Sequence, residues 1–130
     1  MRLALFDLDH TLLPLDSDHA WGQFTVQLGW RDPIAFAQRN DGYYQDYKRG
    51  QLDIEEYMRF ATEALREQGQ AAAEAAHQRF MDEVIQPAIR PAARDLVRHH
   101  QQAGDCVIIV TATNEFVTRP IASAFGVPEL

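Results

Sequence analysis

The chain has 130 residues, 46% of them hydrophobic and 24% charged, with a formal net charge of -7. That length suffices for one ordinary domain with a buried core, while the acidic balance and the lack of a basic cluster with interleaved aromatics argue against nonspecific nucleic-acid binding. A single cysteine, Cys106, allows no disulfide within the chain and points to a reducing, cytoplasmic setting; no apolar run reaches membrane-spanning length, and residues 3–6 are too short an apolar core for a secretory signal.

Residues 2–8 form a short apolar run bounded by acidic and turn residues, which predicts a buried strand, central in a parallel sheet and covered on both faces. The run ends in two alternate aspartates, Asp7 and Asp9. Side chains alternate along a strand, so both start on one face unless a break just after Asp7 re-aims them. Ligands of open parallel sheets bind beyond the carboxyl ends of the strands, where this pair falls. Carboxylates this close repel one another unless a cation or a shared proton compensates, so metal-assisted chemistry is the first candidate. For a bare Asp-x-Asp the plainer reading is that Asp7 caps a loop and Asp9 is solvated.

A helical region follows. Asp16, Ser17 or Asp18 caps a helix through Trp21, Phe24 and Leu28 that ends at Gly29. A second starts at Asp32 and Pro33 and stops at Gly50, with Asn40-Asp41-Gly42 as a candidate interruption. The third opens on Asp53 with Glu56 three residues on, a capping-box spacing, and carries Ile54, Tyr57, Met58, Phe60, Ala61 and Leu65. An alanine-rich fourth runs from Gln70 through Phe80 and Val84 and ends before Pro87. Tyr43, Tyr44, Tyr47, Trp21 and Trp30 read most simply as the core of this bundle.

After Pro91 a helix with Ala92, Leu96 and Val97 on one face returns the chain to the sheet and ends at Gly104, with His99 and His100 at the surface. Residues 106–110, Cys-Val-Ile-Ile-Val, are a second apolar, β-branched strand, with Cys106 as buried filler. It closes in Thr111-Ala112-Thr113-Asn114, and a last helix runs from Asn114 to Gly126. With two strands visible the sheet is poor, and an exposed edge invites homo-oligomerisation or domain exchange.

Asp7-Leu8-Asp9-His10-Thr11-Leu12 resembles the first motif of the haloacid dehalogenase superfamily, Asp-x-Asp-x-Thr after an apolar strand. Residues 106–111 resemble its second, a hydrophobic strand closing in a phosphate-holding threonine. The order of the two, with a helical insert between them, is that of the family. The resemblance implies an α/β, Rossmann-like core, with residues 1–13 and 89–130 in the core and 14–88 as an inserted helical cap of the phosphoserine phosphatase-like branch. It implies Asp7 as the nucleophile that becomes an aspartyl-phosphate and Asp9 as general acid and then base. Thr111 and backbone N–H groups near Leu8, Asp9 and Ala112 would bind the phosphoryl group, and Mg2+ would sit on the Asp7 carboxylate and the Asp9 carbonyl.

Residues 50–59 are similar to a cap segment whose final arginine, here Arg59, grips a substrate carboxylate, and Asp16 falls where that branch meets a substrate ammonium. The plainer readings are a solvated Arg59 and an N-capping Asp16. Together these imply Mg2+-dependent hydrolysis of a small phosphorylated metabolite, phosphoserine first and another amino-alcohol phosphate such as histidinol phosphate next. The chain departs from the family pattern in three places. Its one lysine, Lys48, lies in the insert, with Arg119 the only cation after Thr111; no Gly-Asp follows Thr111; and Ala-Thr-Asn replaces the Gly-Gly typical of phosphoserine phosphatases. An N-terminal portion of a longer protein is therefore expected, the rival being a catalytically silent module that binds or oligomerises. Phosphotransfer between sugars, as in the mutases, shares Asp7 and Asp9.

Overall fold

The computed structural model describes residues 2–128 and Leu130. In chain order it has β1 (Leu3–Asp7), α1 (Ser17–Gln27), α2 (Pro33–Lys48), α3 (Ile54–Gln68), α4 (Gln70–Phe80), a π-helical stretch (Met81–Ile85), α5 (Gln86–Ala88), α6 (Pro91–Gln102), β2 (Cys106–Val110) and α7 (Glu115–Ala124). Two compact units share these elements: Met1–Trp21 with His77–Leu130, which holds the sheet, and the all-helical Gly22–Ala76. The chain passes from one to the other within α1 and returns within α4.

In the sheet-bearing unit β1 and β2 pair in parallel, Leu3 against Cys106 through Asp7 against Val110. Ala4, Val107 and Ile109 are buried on one face, where the Phe6 ring meets His100 of α6 edge-on at 5.6 Å. The other face is open. Leu3 and Leu5 are each 62% exposed and Val110 54%, which corrects the expectation of a strand covered on both sides. Uninterrupted apolar composition reports hydrophobicity, not contact, so it cannot tell a doubly covered strand from one whose outer face is free. Cys106 is half-buried rather than buried. At the far end of the sheet Asp105 takes Arg2 Nε at 3.2 Å and pairs with His100 Nδ1 at 2.8 Å. The His100 hydrogen bond, with Arg2 beside it, holds its carboxyl below the usual range.

The core of this unit is aromatic. Trp21, buried, lies 5.2 Å from the rings of both His77 and Phe80 and 5.7 Å from Phe116. His77 meets the Val117 carbonyl at 3.2 Å through Nε2, and burial pushes its pKa down despite that bond. The fourth helix does not stop before Pro87 as expected. The chain stays helical to Ala88, because a π-turn carries it there: Gln86 N–H bonds back to the Met81 carbonyl, and Pro87 sits at the start of the new turn where no N–H is needed. On α6 Val97 is fully buried while Leu96 is 46% exposed, so the expected Ala92–Leu96–Val97 face is carried by Val97.

In the helical unit the predicted Asp53 cap forms, and Asp32, expected only to open its helix, caps it as well. Asp32 accepts from Ala35 N–H at 2.8 Å and Asp53 from Glu56 N–H at 3.1 Å, each removing one orphan donor of a first turn. Helix α2 runs unbroken through Asn40-Asp41-Gly42. Its inner seam stacks Phe36 on Phe60 at 5.4 Å, with the Arg31 guanidinium over both rings and donating to the Phe60 carbonyl at 2.6 Å. Tyr44 and Tyr47 are exposed, and Tyr43 and Trp30 half-buried; of the aromatics expected in the bundle core only Trp21 is buried, and it belongs to the other unit.

Candidate active site

The loop after β1 shows why this sequence turns where it does. Leu8, Leu12 and Leu13 are all buried, and to bring all three inward the chain reverses tightly. Leu8 O accepts from both Thr11 N–H at 3.2 Å and Leu13 N–H at 3.0 Å, and His10 N–H reaches Leu15 O at 3.1 Å. His10 takes the strain at φ 58, a left-handed conformation uncommon outside glycine. With the leucines inside, the two carboxylates part. Asp7 remains exposed at the strand end, and Asp9, half-buried, turns toward the start of α1 and the end of β2.

Asp7 Oδ1 accepts from its neighbour Leu8 N–H at 3.0 Å and Oδ2 from the Thr11 hydroxyl at 3.3 Å. Asp9 is gripped more firmly. Its Oδ1 accepts from Ser17 N–H at 2.8 Å, and its Oδ2 from the Thr113 hydroxyl at 3.0 Å. Thr113 in turn donates its backbone N–H to Thr111 Oγ1 at 3.1 Å. The register that sets Asp7 beside Val110 brings Thr111, the next residue, out at the same carboxyl edge of the sheet. Asp7, Asp9 and Thr111 are thus gathered at one end of one unit, with exposed Ala112 on the same loop as Thr111.

The remaining expected residues lie elsewhere or are otherwise engaged. Asp16 accepts from His19 N–H at 3.0 Å, the bond of an N-capping aspartate on α1. Arg59 is exposed on α3 of the helical unit, its carbonyl taken by Arg66. Lys48, in the same unit, has its ammonium 5.1 Å from the Tyr44 ring. Arg119 pairs with Glu115 one turn away on α7 at 3.0 Å. Among the described residues no three histidine, cysteine or carboxylate side chains cluster as a metal cage. The donor set that is present is the exposed Asp7 carboxylate with the main chain of Asp9. Sequence reasoning passed over Thr113, although its place two residues after Thr111 was a usable sign: a hydroxyl on the loop that closes β2.

A parallel sheet presenting two carboxylates and a threonine at its carboxyl edge is the arrangement of an α/β protein with a strand-end site. The family model for haloacid dehalogenase-like hydrolases matches residues 4–130, and the chain belongs to that family. It is 39% identical over 129 residues to the histidinol-phosphatase of Neisseria meningitidis serogroup C (strain 8013), across 99% of this chain and 58% of that protein. A crystal structure of a protein of unknown function from Bordetella pertussis Tohama I matches with a TM-score of 0.89 at 48% identity, across 99% of this chain and 58% of that one. The chain therefore spans somewhat more than half the length of these relatives. No helix among the described residues is long and apolar enough to cross a membrane.

Proposed function

We propose that this chain carries the nucleophile half of a phosphomonoesterase acting on a small amino-alcohol phosphate in the cytoplasm, with the helical insert of residues 14–88 serving as its cap. An Asp7 oxygen attacks phosphorus and the bond from phosphorus to the ester oxygen breaks. Asp9 gives its proton to the departing alkoxide, then takes one from the water that hydrolyses the aspartyl-phosphate. Thr111 donates to a phosphoryl oxygen, with the Leu8 and Ala112 region as the backbone lining. Mg2+ fits the donors present, since it takes one or two protein oxygens, here Asp7 carboxylate and Asp9 carbonyl, and fills its shell from phosphate and water. Bound there, it would offset the negative charge shared by Asp7 and the phosphoryl group.

The observation that carries this reading is the strand register, which sets Asp7 beside the residue that precedes Thr111. The name of the Neisseria relative supports histidinol phosphate ahead of phosphoserine. Asp16, already bonded to the α1 amide, retains one oxygen for a substrate ammonium, whereas Arg59 has a role only if the substrate bears a carboxylate. Phosphate release from histidinol phosphate, phosphoserine and p-nitrophenyl phosphate with Mg2+ tests the proposal. Histidinol phosphate should be the best of the three, and Asp7→Asn should lose turnover of all by at least about 10²-fold. Full activity in Asp7→Asn rejects the proposal.

A further inference from the structure

Holding a carboxylate in one orientation means fixing two torsions, and a bond to each oxygen does that. Asp9 has one bond of each kind: a backbone amide, Ser17 N–H, on Oδ1 and a side-chain hydroxyl, Thr113 Oγ1, on Oδ2. The amide is fixed by the start of α1. The hydroxyl is fixed by its own residue, because a β-branched side chain has few χ1 choices and because Thr113 is tied down through its N–H to Thr111 Oγ1. That second bond also settles the Thr111 hydroxyl. With its oxygen accepting from Thr113, its own O–H is left to donate outward, toward the space a phosphoryl oxygen would take.

We propose that Thr113 is a positioning residue for Asp9, aiming its carboxyl at the leaving oxygen of the substrate while its backbone orients Thr111. This rests on the phosphatase reading above. It goes further by assigning to the side chain of a residue 104 positions away from Asp9 the control of the proton transfers that Asp9 makes. Attack by Asp7 does not pass through Thr113, so a defect here should depend on how badly the leaving group needs a proton. An alkoxide, as from histidinol phosphate, needs one; p-nitrophenolate, a stable anion, does not.

The test is kcat/KM on histidinol phosphate and on p-nitrophenyl phosphate for wild type, Thr113→Val, Thr113→Ser and Asp7→Asn. Valine keeps the shape and the backbone N–H and removes only the donor to Asp9. We expect Thr113→Val to lose about tenfold more on histidinol phosphate than on the aryl ester, with the KM for histidinol phosphate little changed, and Thr113→Ser, which keeps the donor without the β-branch, to recover most of the wild-type ratio. Equal losses on both substrates would mean a purely structural role and overturn the proposal while leaving the phosphatase reading intact. So would a Thr113→Ser protein that behaves like Thr113→Val. If Thr113→Val folds poorly, Thr113→Ala reads the same ratio. Absence of phosphate release by the wild-type protein from both esters defeats the phosphatase reading, and this proposal with it; release by wild type that Asp7→Asn abolishes, with equal losses in Thr113→Val, defeats this proposal alone.

Discussion

The one-sided sheet makes a prediction with opposite outcomes on the two faces. Ile109 of β2 is fully buried and Leu5 of β1 is 62% exposed, though both are aliphatic residues in the middle of paired strands. Truncating Ile109 to alanine removes buried methylenes and leaves a cavity against the α6 side, a change that costs about 2–5 kcal/mol. For Leu5 only a little over a third of the side chain is withheld from water. Full burial of a leucine is worth about 1.5–3 kcal/mol, so Leu5→Ala should cost about 0.5–1 kcal/mol. For a chain this long a kilocalorie moves the midpoint by roughly 3–5 °C, which separates the two variants by about 10 °C.

Urea unfolding followed by circular dichroism, with thermal melts alongside, measures both. The slope with denaturant should match wild type in each variant, since neither change alters the extent of the folded state. Equal costs at the two sites would refute the argument. They would mean that the Leu3–Leu5–Val110 face is covered in solution, and a cost at Leu5 that grows with protein concentration would identify the cover as a second copy of the chain.

Two further outcomes follow from packing and from titration. A Cβ on Gly22 would come within 2.8 Å of Phe36 Cζ, while one on Gly42 meets nothing within 4 Å. Both lie in helices, so Gly42→Ala should stabilise by up to about 1 kcal/mol; Gly22→Ala should destabilise by about 1 kcal/mol once overpacking against the stacked Phe36 exceeds the same gain. Opposite shifts in the urea midpoint check this, and matching shifts contradict it. His77 is held neutral by burial, its pKa below the ordinary 6.5. The unfolded chain therefore takes up the proton first: the stability is complete above pH 6.5 and drains away as pH falls below it toward the folded value. Between pH 7.5 and 5.5 the urea midpoint of wild type should fall more than that of His77→Phe; parallel declines would show that the acid sensitivity lies in other groups.

What the residues revealed in advance was local. The cap at Asp53 and the helix starts at Asp32 and Asn114 were legible because each rests on a bond that spans three residues. Both strands were legible because β-branched and apolar residues have nowhere else to go. The hidden features depend on distance in sequence or on what a side chain faces. Nothing local tells that Leu5 and Val110 look outward, that Tyr47 is exposed while Phe60 is buried, or that a π-turn carries the helix past Pro87. Asp7, Asp9 and Thr111 were expected at the strand ends from the motif, and the structure gathers them at one sheet edge. The bond from Thr113 to Asp9 was not foreseen, because it joins loops separated by the whole helical insertion.

That separation bears on how the molecule divides its work. Each hydrogen bond that orients Asp7, Asp9 and Thr111 comes from Leu8, Thr11, Ser17 or Thr113, all in the sheet-bearing unit. All four are anchored in or beside buried residues: Leu8 is itself in the core, Thr11 precedes buried Leu12, Ser17 is fully buried, and Thr113 lies on the loop that leads into the buried face of α7. The arrangement of Asp7, Asp9 and Thr111 is therefore set by the packing of the sheet-bearing unit, where β2 lies against α6. Asp7 and Asp9 stay where the buried leucines of the β1 loop put them, held by bonds that arise within the sheet-bearing unit.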